Sequence, residues 1–223
     1  MIKMGVGLEP GAIIMQKEYF TVAHEAVVEI DERKSKFIGF VKPVETAEEA
    51  TSYINEIKSN HKDATHNCYA YYVCKDMFAQ RFSDDGEPSG TAGIPILEVI
   101  KRNNIQNVVV VVTRYFGGIL LGAPGLIRAY SKSASEAIVK ATKVKRIYCQ
   151  EIKVVIKYTL LGKMQNAILS KGYIIKDINY GQDVEIIVSI PIDEIDVFRG
   201  AAREIASGDV LFEDGSTYYI NEI

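Results

Sequence analysis

Five consecutive valines, Val108 to Val112, constrain this chain more than any other feature. Successive side chains of a strand point to opposite faces, so an unbroken apolar run leaves neither face for water. Such a strand belongs in the middle of a sheet covered on both sides. The run is far short of the roughly 20 apolar residues needed to cross a bilayer, and Arg114 closes it. The pattern predicts a strand over 107–114, a glycine loop, and a helix near 125–141. Leu126, Ile127, Tyr130, Ala134, Ala137, Ile138 and Ala141 share one face of that helix, and Arg128, Lys132, Glu136 and Lys140 share the other.

The rest of the chain can be placed around that strand. Two strand-like stretches, about 19–30 and 35–43, flank the charged turn Asp31-Glu32-Arg33-Lys34. Thr46 and Glu49 have capping-box spacing, and Ala47, Ala50, Ile54 and Ile57 follow at helical intervals, which predicts a helix over 46–59. Residues 67–75 are aromatic and β-branched enough for a strand. A polar glycine-rich loop over 83–93 leads to a helix from about Thr91 to Asn103, where Pro95 is tolerable in the first turn. The first 14 residues show no period and read as a loosely held tail or an upstream start ahead of Met15. Beyond residue 147 the pattern changes to strand 152–158, a helix from Leu160 stopped by Gly172, strands 173–179 and 183–190, helix 193–206 and strand 217–221. That order, βαββαβ, is the ferredoxin-like split βαβ arrangement. The division is a tail over 1–14, a domain over 15–146 and a second over 147–223.

Composition narrows the function classes. At 48% hydrophobic and 25% charged, the chain is globular rather than disordered. The odd set Cys68, Cys74 and Cys149 has no CxxC pair, which points away from a disulfide framework or a cysteine zinc site. The amino terminus lacks a signal-peptide pattern, so a soluble, reducing, cytoplasmic setting without membrane contact is the default. The net charge of −3 conceals an uneven distribution: residues 101–150 hold nine basic side chains and only Glu136 acidic. That stretch can attract phosphate or an acidic surface, or pair with acids of its own fold.

Two segments could carry chemistry. Asp84, Asp85 and Glu87 offer three carboxylates within four residues, enough to suggest a hard cation, although the rest of a calcium loop is missing. The alternative is an acidic turn followed by Ser89 or Thr91 capping the next helix. In the second segment, Gly117, Gly118, Gly122 and Gly125 lie between the buried strand and a helix N-terminus, where backbone amides can approach an anion. Arg114 and Arg128 flank that loop. Neither a P-loop nor Gly-x-Gly-x-x-Gly is present. Arg114, Tyr115, Gly117, Gly118, Arg128 and Lys132, with Thr91, form the candidate anion- or nucleic-acid-binding set. The competing expectation is tight packing, with Arg114 paired to Asp84 or Asp85. His66 and Cys68 share a strand face but have no third orienting group, so Cys68 is expected to be a buried core residue. Tyr69, Tyr71 and Tyr72 suit either base stacking or a core. No catalytic set, metal or cofactor is indicated.

Together, Asp84-Asp85-Gly86-Glu87-Pro88, Gly90-Thr91-Ala92-Gly93, Val112-Thr113-Arg114-Tyr115-Phe116-Gly117-Gly118 and Gly125-Leu126-Ile127-Arg128-Ala129-Tyr130 resemble the IMPACT family, in its bacterial YigZ-like branch. Ala64-Thr65-His66-Asn67-Cys68-Tyr69-Ala70-Tyr71 is also similar to it. Ala123-Pro124 departs from the family's usual Thr or Ala followed by Gly, and the proline removes an amide donor from the helix entry. The resemblance implies an α+β chain, with an N-terminal domain like domain two of ribosomal protein S-five. The C-terminal domain it implies is ferredoxin-like, similar to one in elongation factor G. Eukaryotic relatives restrain a starvation-sensing kinase of translation initiation by competing for its ribosome-associated activator. The expectation is a non-enzymatic regulator associated with RNA, the ribosome or translation factors. The alternatives are a protein-interaction module without nucleic acid, and an enzyme acting on a phosphorylated ligand with Mg²⁺.

Overall fold

The computed structural model describes residues 16–74 and 78–222, so the expected tail lies outside the described residues. The chain divides into two units, one of Tyr19–Lys145 and the other of Gln16–Glu18 together with Arg146 onward. No helix among the described residues is long and apolar enough to cross a membrane.

In the first unit, β1 (Glu18–Val22) ends before β2 (Ala26–Glu32), which turns into β3 (Ser35–Pro43). The single stretch expected over 19–30 is therefore two strands. Arg33 and Lys34, both at positive φ, make the tight turn of the β2–β3 hairpin. Helix α1 (Ala47–Asn60) starts as its capping box predicts: the Glu49 amide donates to Thr46 Oγ1 at 3.1 Å, and the Glu49 carboxylate accepts from the Glu45 amide at 2.7 Å. Strands β4 (His66–Val73) and β5 (Ala79–Ser83) precede helix α2 (Gly93–Arg102), the valine strand β6 (Val108–Tyr115) and helix α3 (Gly122–Lys140). The sheet runs β2-β3-β6-β4-β5 with every neighbouring pair antiparallel.

The valine strand lies at the centre, as its sequence requires. Val108, Val110 and Val112 enter a core that also contains Leu97 and Ile100 of α2 and Tyr130, Ala134 and Ile138 of α3. Val109 and Val111 enter a second core, with Tyr53, Ile54 and Ile57 of α1. Burying each valine on this scale is worth about 1.5 kcal/mol or more. Gly39 of β3 lets α3 lie close, because a Cβ there would stand 2.6 Å from Ser133 Oγ.

Strand β7 (Lys143–Ile156) leads into the second unit, which continues through a 3₁₀ turn to α4 (Leu161–Ser170), β8 (Ile174–Tyr180), β9 (Val184–Pro191), α5 (Ile195–Ile205) and β10 (Leu211–Asn221). Strands β10, β7, β9 and β8 pair antiparallel in that order, the split βαβ arrangement, within a five-stranded sheet in which β1 also pairs β7. Ile152, Val154, Ile186 and Val188 pack beneath Met164 and Ile168 of α4 and Phe198 of α5. Gly172 ends α4 at positive φ, as expected. The last strand begins six residues earlier than its pattern suggests, because a register shift between Asp214 and Thr217 interrupts the alternation.

Candidate binding site

Sheet register brings the site together. Arg114 near the end of β6 stands opposite Phe37 on β3 and His66 on β4, so all three project to the side covered by α2 and α3. Arg114 is 5% exposed and Glu87 7% exposed. Arg114 Nη1 donates to Glu87 Oε1 at 2.7 Å, and the Tyr130 hydroxyl of α3 donates to the same oxygen at 2.7 Å. The guanidinium carbon lies 5.4 Å from the centroids of both Phe37 and Phe116. The acidic loop and the glycine loop therefore meet, through Glu87 rather than through the expected Asp84 or Asp85. This buried closed pair makes Arg114 part of the architecture.

The three carboxylates diverge instead of converging. Asp84 accepts from the Gly90 amide at 2.9 Å, the Ala92 amide at 3.1 Å and the Gly93 amide at 2.8 Å, so it caps α2 from eight residues upstream of Ala92. Thr91, expected as a cap, is buried and donates its hydroxyl to Pro88 O at 2.6 Å. Asp85, at φ 46°, accepts from Lys58 Nζ at 2.5 Å and from the Asn67 amide at 2.7 Å. One cation could collect these oxygens only if the loop gave up those bonds. Among the described residues no group of three or more His, Cys, Asp or Glu is placed to hold a metal.

The remaining candidates fall into two sets. Gly117 is required by close approach, since a Cβ there would lie 1.9 Å from Lys34 O, and its amide donates to Ser35 Oγ at 3.1 Å. That amide is not available to an anion. Gly118, at φ 84°, stands in open space. The Tyr115 hydroxyl lies 2.8 Å from His61 Nδ1 and 3.3 Å from Asp63 Oδ1. Arg128 and Lys132, by contrast, are exposed one turn apart on α3, with Lys132 3.9 Å from Glu136. Tyr71 is buried beneath α1, which removes it from any stacking role.

Three further groups complete the cluster. Ser35 is marked by no motif, and Tyr130, which closes the Gly125–Tyr130 motif, reads in the sequence only as a residue of the helix's apolar face. His66 was visible beside Cys68, and its hydrogen bond supplies the missing orientation: Nδ1 lies 2.8 Å from Asp85 O. A carbonyl only accepts, so Nδ1 carries the proton and Nε2 of the neutral ring is an acceptor. Nε2 is 3.9 Å from Glu87 Oε1, too far to bond. Cys68 is fully buried, with Sγ 2.9 Å from Asp84 O. Burial pushes its thiol up, and the Tyr130 hydroxyl is raised mainly by the same cause. Above this cluster is an open hollow of about 350 Å³, walled by Pro88, Phe116, Leu120, Leu121 and Leu126, with His66, Glu87 and Arg114 on its polar side.

Residues 33–138 match the family described as the Impact N-terminal domain, and residues 154–209 match the domain of unknown function DUF1949. The chain is 40% identical to the IMPACT family member YvyE of Bacillus subtilis, over 93% of this chain and 96% of that one. It is 33% identical to the IMPACT family member YigZ of Escherichia coli, over 63% of this chain and 74% of that one. A crystal structure of a hypothetical protein, 27% identical, superposes with a TM-score of 0.58 over 89% of this chain and 97% of the other. An α+β chain pairing an Impact-type first domain with a ferredoxin-like second is thus what fold and motifs define. The chain belongs to the IMPACT family.

Proposed function

We propose that this chain is a non-enzymatic regulator associated with the translation machinery, and that it contacts RNA through the outer face of α3. The observation that carries the reading is the exposed pair Arg128 and Lys132, in a stretch holding nine basic residues and one acidic. Membership of the IMPACT family supports the translation theme. The buried Arg114–Glu87 pair narrows the proposal: phosphate meets the helix face rather than a cradle built around Arg114. Co-sedimentation with ribosomes, and RNA binding at low salt, test it. Arg128→Ala with Lys132→Ala should weaken binding by at least about tenfold, the least expected of two lost charge-assisted contacts. Absence of binding to any RNA or ribosome at low salt removes the reading.

A second reading, a protein-interaction module, is favoured by Phe116 at 45% and Leu120 at 81% exposure beside the hollow. Recovery of one protein partner after nuclease treatment, lost on Leu120→Asp and kept in the Arg128 and Lys132 variant, supports it over RNA.

A further inference from the structure

We propose that the hollow above the Arg114–Glu87 pair is a small-molecule site for a compact, uncharged, largely apolar ligand bearing one N–H or O–H donor. Three observations define that chemistry. The first is size: at roughly 30 Å³ per water-sized group, a hollow of about 350 Å³ holds on the order of ten heavy atoms, at the lower end of ligand clefts. The second is the lining. Five apolar residues line it, Thr65 Oγ1 already accepts from the Phe116 amide, and His66, Glu87 and Arg114 cluster together, the arrangement by which clefts orient a mainly apolar molecule.

The third is the hydrogen-bond balance of that polar side. Glu87 Oε1 already accepts from Arg114 and Tyr130, and the charges of Glu87 and Arg114 cancel. A charged ligand would enter an apolar space with no free counter-charge, so a neutral one is preferred. Arg114 Nε also lacks a hydrogen-bond partner but is sealed from solvent, so His66 is the unfilled position a ligand can reach. With Nδ1 committed to Asp85 O, Nε2 presents a lone pair, and the side chain keeps 20% of its surface exposed. A donor on the ligand satisfies that acceptor, while a ligand without one leaves it unpaired.

This site is separate from the α3 face: Arg128 and Lys132 do not line it, so RNA binding and ligand binding can fail independently. The test is NMR titration of the full chain with indole and with N-methylindole, which has the same ring system without the donor. Indole should shift signals of Leu120, Leu126 and His66, and bind about three- to tenfold more tightly than N-methylindole, the scale of one neutral hydrogen bond. Replacing exposed Ala123 at the rim by Trp should block the hollow and abolish the indole response without touching the core. His66→Phe, which keeps a ring and removes the acceptor, should equalise the two probes. No indole response up to about 10 mM, a response unaffected by Ala123→Trp, or equal affinity for the two probes in the unsubstituted protein would each overturn the proposal; this range reaches the weak millimolar binding of fragments.

Discussion

Arg114 ties β6 to the acidic loop and to α3, because its contact with Glu87 is buried and shared. Glu87 Oε1 takes donors from β6 and α3, and the guanidinium carbon lies 5.4 Å from the ring centroids of both Phe37 and Phe116. Arg114→Ala leaves Glu87 charged and buried, and unfolding in denaturant should show a loss of about 3–5 kcal/mol. Arg114→Met combined with Glu87→Met should recover much of that loss, because no unpaired charge remains. A single variant costing under about 1 kcal/mol would contradict a buried role. The cysteines make a pH prediction of definite sign. Burial, then Asp193 and Glu194, pushes the Cys149 thiol up to about 11, and burial raises Cys68 as well. The native state holds these protons longer than the unfolded chain does. The associated stability is therefore intact below the unfolded thiol value near about 8.5 and is lost as pH rises through the native value. Melting temperature should stay level up to about pH 8.5 and fall towards pH 11, and a rise over that window would contradict the assignment. Which carboxylate would meet Arg114 could not be read from sequence, where Asp84, Asp85 and Glu87 are nearly equivalent. The left-handed turn at Asp85 and Gly86 sends Glu87 inward and leaves both aspartates with backbone amides.

Among the elements, α2 depends on a cap that lies outside its own sequence neighbourhood. Ala92 offers no side chain to the helix start, and Asp84 supplies the acceptors for the Ala92 and Gly93 amides. Asp84→Ala should cost about 1–3 kcal/mol in thermal or denaturant unfolding, with Asp84→Asn costing less, since one carbonyl oxygen still accepts. Equal stability of Asp84→Ala and the parent would contradict the capping role. Gly117→Ala should destabilise by at least about 1–3 kcal/mol, because its Cβ falls on the Lys34 carbonyl and the backbone has to move. Elements with a strong local signal were legible: the valine strand, the Thr46–Glu49 capping box and the two C-terminal helices all follow their patterns. Those defined by partners were not. Strand β5 is short, carries exposed Arg81 and Phe82, and exists because β4 pairs with it. Helix α3 starts at Gly122, three residues before the start its pattern predicts, since Pro124 fits a first turn that has no amide bond to lose. Within the site, the glycines and acids stood out in the sequence, whereas Tyr130 and Ser35 gained their roles only from sheet and helix packing.

Over the whole molecule, ion pairs occur in both units. The basic stretch contributes Arg128 and Lys132 to the surface of the first unit, while the charges on one face of the second unit's sheet pair with each other. Lys153 lies 2.7 Å from Glu213 and 3.6 Å from Glu185, and Lys176 lies 2.7 Å from Glu151. The proposed RNA contact therefore rests on α3 of the first unit, where Arg128 is exposed and Lys132 stands 3.9 Å from Glu136. The salt dependence of RNA affinity tests that placement most directly, because each phosphate contact releases counterions and steepens the plot of log affinity against log salt. For the full chain on single-stranded RNA, replacing both Arg128 and Lys132 by alanine should flatten that slope by roughly 1.5, the contribution of two contacts. An unchanged slope in a folded double variant would contradict the claim that α3 is the face through which this protein meets RNA.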